Sequence, residues 1–159
     1  MSLLTARQSL ELWTAELDKQ LGWTTTVTTD GICMFQTHEG LIVSIEAPAE
    51  LDIIVFHAPV GKVADLNDAA LLRGLLSCNW YGMATGPGQL GLEPGGDTLV
   101  LSMAWLEAAS AVIEQFVSML TRFTTIAVKL NERIARGDVR DATNPAAAES
   151  TRFEGFTRV

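Results

Sequence analysis

The chain has 159 residues, of which 48% are hydrophobic, and a formal net charge of −8. Its length is that of a single domain. Its mean hydropathy of +0.23 is high, yet the sequence has no run of roughly 20 apolar residues that could cross a membrane. Residues 1–118 carry 14 acids against 4 bases, and such an acidic surface repels phosphate backbones. We therefore expect no membrane span and no nucleic-acid partner, and an apolar surplus that goes into a core plus an interface.

The first predicted element is an amphipathic helix over residues 3–21, with Thr5 or Ser2 as its N-cap and Gly22 as its stop. Its apolar residues recur at three- and four-residue steps, as one face of a helix requires. They are Leu10, Trp13, Leu17 and Leu21.

Three strands are predicted next, over Ile32–Thr37, Leu41–Ala47 and Leu51–His57. Gly40 ends the loop between the first two, where a hairpin needs a positive φ. The second strand alternates and so has one apolar face, whereas the third is apolar on both faces. The third strand is therefore either buried on both faces, or one of its faces is left for a partner to cover. Pro59 and Gly61 are expected to end the sheet here.

The remaining pattern predicts a helix from Asn67 or Asp68 through about Tyr81, strands at Gln89–Leu92 and Thr98–Ala104, and a long helix over 106–136. The order is α-β-β-β-α-β-β-α, an α+β fold in which three helices pack on an antiparallel sheet. We expect one domain over residues 1–137 and a polar tail over 138–159, with Phe153 and Phe156 as its only large apolar side chains.

The sequence offers little that indicates a catalytic, cofactor-binding or metal-binding site. Gly86 to Gly91 spells GxGxxG, but a dinucleotide site needs a strand before this motif and a helix after it, and here the order is reversed. His38 and His57 have no ligand at metal spacing, and Glu46 and Asp52 flank one hairpin, where like charges keep a sheet edge soluble. Cys33 and Cys78 are expected to be reduced core thiols of a cytosolic protein. We expect no enzyme activity, no cofactor and no metal.

Residues 71–105 carry a more specific pattern: a leucine-rich helix that ends in Asn plus an aromatic, a small-residue loop, a Leu-Gly-Leu-Glu strand, a glycine turn and an apolar strand. These places are held by Leu71, Leu72, Leu75, Leu76, Asn79, Trp80, Leu90, Gly91, Leu92, Glu93, Gly95, Gly96, Leu99 and Leu101. The pattern resembles the class I type III secretion chaperones, the Tir-chaperone (CesT) family, and the order of elements matches over residues 3–136. The tail over 138–159 departs from that family.

The resemblance implies a bacterial, cytoplasmic, non-enzymatic homodimer that binds the N-terminal non-globular segment of a secreted effector and keeps it soluble and export-competent. A secretion-apparatus ATPase is a further implied partner. The implied dimer interface comprises Leu72, Leu76, Trp80, Leu90 and Leu92. The effector would add a strand or place apolar side chains in grooves between sheet and helices. The effector-binding positions expected on this basis are Trp13, Met34, Ile42, Ile54 and Phe56.

Two alternatives remain open from the sequence. The same fold could serve as an adaptor or regulatory protein-binding domain without a role in secretion. The chain could also be a small-molecule binding protein or enzyme that uses the Gly82–Gly88 loop as a lid. A further hypothesis is that Phe153 and Phe156 fold back over an empty client groove.

Overall fold

The computed structural model describes residues 4–21, 27–65, 67–106 and 108–139. Its elements follow the predicted order and confirm the α+β class. They are α1 (Ala6–Leu21), β1 (Ile32–Gln36), β2 (Ile42–Glu46), β3 (Ile54–Lys62), α2 (Ala69–Cys78), β4 (Gln89–Leu92), β5 (Thr98–Trp105) and α3 (Ile113–Ala135). The predicted stop at Gly22 and the tail residues Phe153 and Phe156 lie outside the described residues.

All five strands form one antiparallel sheet in the order β1-β2-β3-β5-β4. Strands β1 and β4 are therefore the outermost strands of the sheet within the described ranges. Cross-strand partners share a face, so the register defines an inner face, with Ile45, Phe56 and Met103 as one row, and an outer face, with Ser44, His57 and Ser102 as another. The alternation predicted for β2 and β5 is confirmed, because Val43 and Leu101 are fully buried on the inner face.

Helices α1 and α3 cover the inner face through a column of aromatic rings. The Trp13 ring of α1 lies 5.8 Å from Trp105 and 5.0 Å from Phe116 of α3, centroid to centroid. Phe56 of β3 lies 6.3 Å from Phe116 and 5.5 Å from Phe123. Such stacked and tilted pairs add to the free energy of burying the rings. This column is the centre of the core.

Strand β3 continues to Lys62, so the prediction that Pro59 and Gly61 end the sheet is wrong. The β2–β3 pairing ends at His57, and beyond it β3 pairs only with β5, across an irregularity between Pro59 and Gly61. Pro59 thus lies where β3 has become an edge, the position in a sheet that tolerates proline. Gly61 is needed for close packing, since a Cβ there would approach Ile134 Cγ2 to 2.6 Å.

The helix ends are set by side-chain caps. In α1 the predicted cap Thr5 is confirmed: its hydroxyl accepts from the Gln8 amide at 3.2 Å, and Gln8 Oε1 accepts from the Thr5 amide at 3.0 Å. Asp52 adds a second cap by accepting from the Ala6 amide at 2.7 Å. Asp52 therefore stabilises the N-terminus of α1.

The later helices are shorter than predicted. Helix α2 is capped by Asp68, whose carboxylate accepts from the Leu71 amide at 2.9 Å, but it ends at Cys78 and a 3₁₀ turn follows at Trp80–Gly82. Helix α3 begins at Ile113 rather than 106, because Val112 is extended and its amide donates to Gln115 Oε1 at 3.0 Å. None of the helices within the described ranges is long and apolar enough to span a membrane. Val139, just past α3, is fully buried.

Candidate functional site

The β1 edge of the sheet presents main-chain groups outward. Ile32 directs its amide and carbonyl away from β2, where the amide donates to Thr28 Oγ1 at 3.2 Å and the carbonyl accepts from the Thr28 amide at 2.8 Å. Because these groups alternate in direction along an antiparallel strand, those of Met34 and Gln36 point to the same side. Neither residue has a main-chain partner there among the described residues. Within the described ranges no strand pairs with this side of β1.

The β4 edge is occupied by a side chain. The Asn79 carboxamide accepts from the Leu90 amide at 2.8 Å and donates to the Leu90 carbonyl at 3.0 Å. It thereby takes the place of a neighbouring strand at the centre of β4. An extended peptide cannot form a continuous ladder on this edge without displacing Asn79.

A narrow apolar crevice with a volume of about 10 Å³ lies beside β1 on the inner face, between α1 and α3. Its walls combine residues from both helices and from β1 and β2, and nearly all of its surface is apolar. We call it the α1–α3 groove; it is lined by Thr14, Leu17, Cys33, Phe35, Ile45, Phe116 and Leu120. A strand added to β1 would direct alternate side chains towards this groove, as the pleat requires.

On the outer face, Met34 and Ile42 border the same edge. Their side chains are 63% and 51% exposed. Both were predicted to meet an effector, and both are accessible on the surface next to β1. The other side chains of a strand added to β1 would lie beside Met34.

Trp13, Ile54 and Phe56 were also expected to bind an effector, but the structure places them in the core. Ile54 and Phe56 are fully buried, and Trp13 is 8% exposed between Trp105 and Phe116. The third strand is apolar on both sides, so its pattern does not reveal which face the helices cover. These three residues stabilise the protomer and are not part of its accessible surface.

A second apolar surface lies at the opposite edge. The α2–β4 patch consists of Leu76, Trp80, Tyr81, Met83 and Leu92, which are between 42% and 87% exposed. Three of its members were predicted to contact a second protomer. Of the other two predicted contacts, Leu72 is half-buried and Leu90 is buried in the protomer's own core. Apolar exposure of this extent on adjoining elements is typical of an interaction site.

The roles of Asn79 and Tyr81 were not predicted from the sequence. The pairing of Asn79 with Leu90 joins residues 11 positions apart, and only a side chain with both a donor and an acceptor could make it. Tyr81 was assigned to α2, whereas its φ of 49° and ψ of 23° are left-handed. The one sequence signal for the role of Asn79 is its position directly before the aromatic pair at the end of the predicted helix.

The Gly82–Gly88 loop is packed rather than lid-like. Thr85 is 1% exposed, and a Cβ at Gly86 would approach Ile126 Cδ1 to 2.6 Å. At Gly88 a Cβ would lie 3.1 Å from both Leu101 Cδ1 and the Ser102 carbonyl oxygen. These glycines let the loop pack against α3 and β5, which disfavours the small-molecule alternative.

The two cysteines are buried, free thiols. Burial, with a smaller effect from the nearby Asp18 carboxylate, raises the pKa of Cys33 to about 11. Burial also raises the pKa of Cys78, although the Arg133 guanidinium acts in the opposite direction. The thiolate is the nucleophile and metal-binding form of cysteine, so neither thiol is poised for chemistry at neutral pH.

The outer face carries one polar cluster. His57 Nδ1 lies 3.0 Å from Ser102 Oγ, and His57 Nε2 lies 3.7 Å from Glu46 Oε2. The order Ser–His–Glu is that of an acyl-transfer triad, but such a triad also needs amide donors for an oxyanion. The neighbouring strand amides are used in the ladder. Among the described residues no three His, Cys, Asp or Glu side chains form a metal-binding group.

The comparisons with known proteins agree with this architecture. The Tir chaperone protein (CesT) family model matches residues 14–131, which is most of the chain. The chain belongs to the Tir chaperone (CesT) family. No curated protein matches it significantly.

Solved structures share the fold at low sequence identity. The ExsC–ExsE complex matches with a TM-score of 0.68 and 18% identity, covering 81% of this chain and 96% of that one. The HopA1–SchA chaperone–effector complex matches at 0.59 and 10% identity, covering 80% and 93%. The Yersinia pestis type III secretion chaperone SycH, solved with a fragment of YscM2, matches at 0.55 and 20% identity, covering 79% and 99%.

Membership places the chain among chaperones rather than among enzymes. The resemblance based on residues 71–105 is thus confirmed at the level of the family. Family membership does not identify the residues that contact a partner; their identity depends on the two sheet edges.

Proposed function

We propose that this protein is a chaperone that binds the N-terminal non-globular segment of a type III secreted effector and keeps it soluble for export. The observation that supports the proposal is the outer side of β1, which has no strand partner in the part of the chain that the structure describes and lies between two apolar surfaces. On one side lies the α1–α3 groove, and on the other lie Met34 and Ile42. The effector segment pairs with the main chain of Met34 and Gln36 and places alternate side chains on these two surfaces.

The energetics suit a disordered client. Main-chain hydrogen bonds give affinity largely independent of sequence, and the flanking surfaces select apolar side chains at alternate positions. A segment that orders on binding loses conformational entropy, so it must bury a large area to bind tightly. The Thr28 cap at Ile32 limits the strand pairing to the far half of β1, so apolar side chains on both faces of the added strand have to supply most of the buried area.

The proposal includes a homodimer formed through the α2–β4 patch. Aromatic residues and methionine are enriched where proteins meet, and this patch holds Trp80, Tyr81 and Met83. The two functions occupy opposite edges of the sheet, so dimerisation leaves both β1 edges accessible. We place the dimer in the bacterial cytoplasm, before export, where it would present its client to a secretion-apparatus ATPase, without a catalytic role of its own.

The test is co-expression with the product of a neighbouring gene, followed by purification and light scattering. We expect the free protein to have about twice its 17.2 kDa chain mass and the complex to contain two copies of it. The matched control is the same gene product without its N-terminal segment, which should not co-purify. A monomeric protein that captures neither form, or equal capture of both forms, would contradict the proposal.

A further inference from the structure

The first half of α3, the end of β5 and the turn between them border a cavity of about 500 Å³, a volume typical of ligand-binding pockets. We call it the α3 cavity, and its lining includes Trp105, Ala111, Glu114, Ser118, Met119 and Arg122. Two apolar side chains next to the lining in sequence, Leu106 and Val112, are 72% and 55% exposed. Strand addition at β1 does not use this surface.

The α3 cavity has opposite charges at its two ends. Glu114 and Arg122 are both exposed, and neither takes part in an ion pair within the described ranges. Eight residues of helix place them about 12 Å apart along the axis of α3. Met119 lies between them on the helix and, with Trp105, supplies half-buried apolar lining. The cavity is therefore complementary to an acidic, an apolar and a basic group, in that order, over about 12 Å.

An extended pentapeptide has this spacing. Residues i, i+2 and i+4 of a strand point to one side and span about 13 Å. Outside the described ranges, only residues 140–159 contain both acidic and basic side chains. In that segment Glu154, Phe156 and Arg158 are acidic, aromatic and basic at alternate positions. The tail thus carries the pattern that the cavity complements.

From this match we infer that Glu154, Phe156 and Arg158 bind in the α3 cavity of their own chain. Glu154 pairs with Arg122, and Arg158 pairs with Glu114. Phe156 covers the apolar lining between the two ion pairs. This contact goes beyond the proposed function, since it involves neither the client nor the homodimer.

The tail can reach the cavity in the required direction. Val139 is fully buried just past α3, so the tail starts at the C-terminal end of this helix. Arg122 lies 13 positions before that end, about 20 Å along the axis, whereas the 15 residues from Val139 to Glu154 extend to about 50 Å. A chain that runs back along α3 meets Arg122 before Glu114, the order in which Glu154 and Arg158 occur. Because the segment is tethered, its effective concentration at the cavity is high and weak contacts suffice.

The test measures how fast chymotrypsin cleaves after Phe156 in the full chain, followed by mass spectrometry. The rate follows the population in which the tail is not bound. Arg122→Glu and Glu154→Arg each replace an attraction by a repulsion, and we expect each to speed cleavage about fivefold. The double variant restores the pair with reversed signs and should be cleaved nearly as slowly as the wild type. Rates are normalised to free peptides over residues 150–159 with and without the change at 154, which removes its effect on the protease.

The matched control is Lys129→Glu, which reverses an exposed charge of α3 outside the cavity lining and should leave the rate unchanged. Circular dichroism should show native folding throughout, because Arg122 and Lys129 are exposed. Wild-type cleavage in either single variant, or a double variant cleaved as fast as the single ones, would overturn the contact. Cleavage of the wild type that accelerates on dilution would assign the cavity to the tail of a second copy, and would also overturn it. Failure to capture a client would count against the proposed function alone.

Discussion

Phe56→Ala is expected to lower the free energy of unfolding by about 3–5 kcal/mol, the usual cost of removing a fully buried phenylalanine. The Phe56 ring is fully buried and packs between Phe116 and Phe123, so its loss opens a cavity beneath α3. Urea unfolding at a fixed protein concentration, followed by circular dichroism, measures the change. Fixing the concentration matters because self-association contributes to the apparent stability.

The matched control for Phe56 is Ile42→Ala on the neighbouring strand. Ile42 is 51% exposed on the outer face, so we expect its truncation to cost no more than about 1 kcal/mol, in proportion to the smaller area it buries. Suppose that Phe56→Ala instead lowered the free energy of unfolding no more than the control does, and also abolished client capture. Phe56 would then be a client-binding residue after all. That result would contradict the assignment of α3 to the inner face.

Met34→Pro is expected to weaken client binding by at least tenfold, or about 1.4 kcal/mol. Proline removes the amide that Met34 would donate to an added strand, and its ring hinders the approach of that strand. The protomer should tolerate the change, because this amide points away from β2 and proline is accepted on strand edges. Binding is measured by titration of the purified chaperone with the N-terminal segment of the co-purified client.

Two further variants separate main chain from side chain at this edge. Met34→Ala keeps the amide and should weaken binding less than Met34→Pro does. Phe35→Pro removes an amide that faces β2, where Phe35 pairs with Val43, and should destabilise the fold itself. Equal binding by Met34→Pro and wild type would exclude strand addition at β1.

The sequence predicted those parts of the fold in which one periodicity dominates. The alternation in β2 and β5 correctly placed Val43 and Leu101 inside, and the positive φ expected at Gly40 is observed at 85°. Alternation gave no correct prediction for β3, because β3 is apolar on both faces and its burial depends on which face α3 packs against. Pro59 was misread for a related reason: whether a strand tolerates proline depends on where its neighbour ends.

The candidate site was less predictable than the fold. Met34 and Ile42 are exposed beside β1 as required, and Leu76, Trp80 and Leu92 are exposed at the other edge, but their partners remain predictions. Asn79 makes the two edges different, because its side chain is hydrogen-bonded to the main chain of Leu90 on β4. No local sequence pattern predicts this contact. The left-handed turn at Tyr81 likewise depends on how the chain leaves α2, which propensity cannot specify.

Hydrogen exchange of individual amides, with and without the client segment, tests the central claim most directly. An amide paired in a new ladder exchanges only when that ladder opens. We predict strong new protection of Met34 and Gln36 in the complex and no change at Leu92, whose edge is occupied at Leu90 by Asn79. New protection at Leu92, with Met34 and Gln36 unchanged, would show that the client binds the other edge of the sheet.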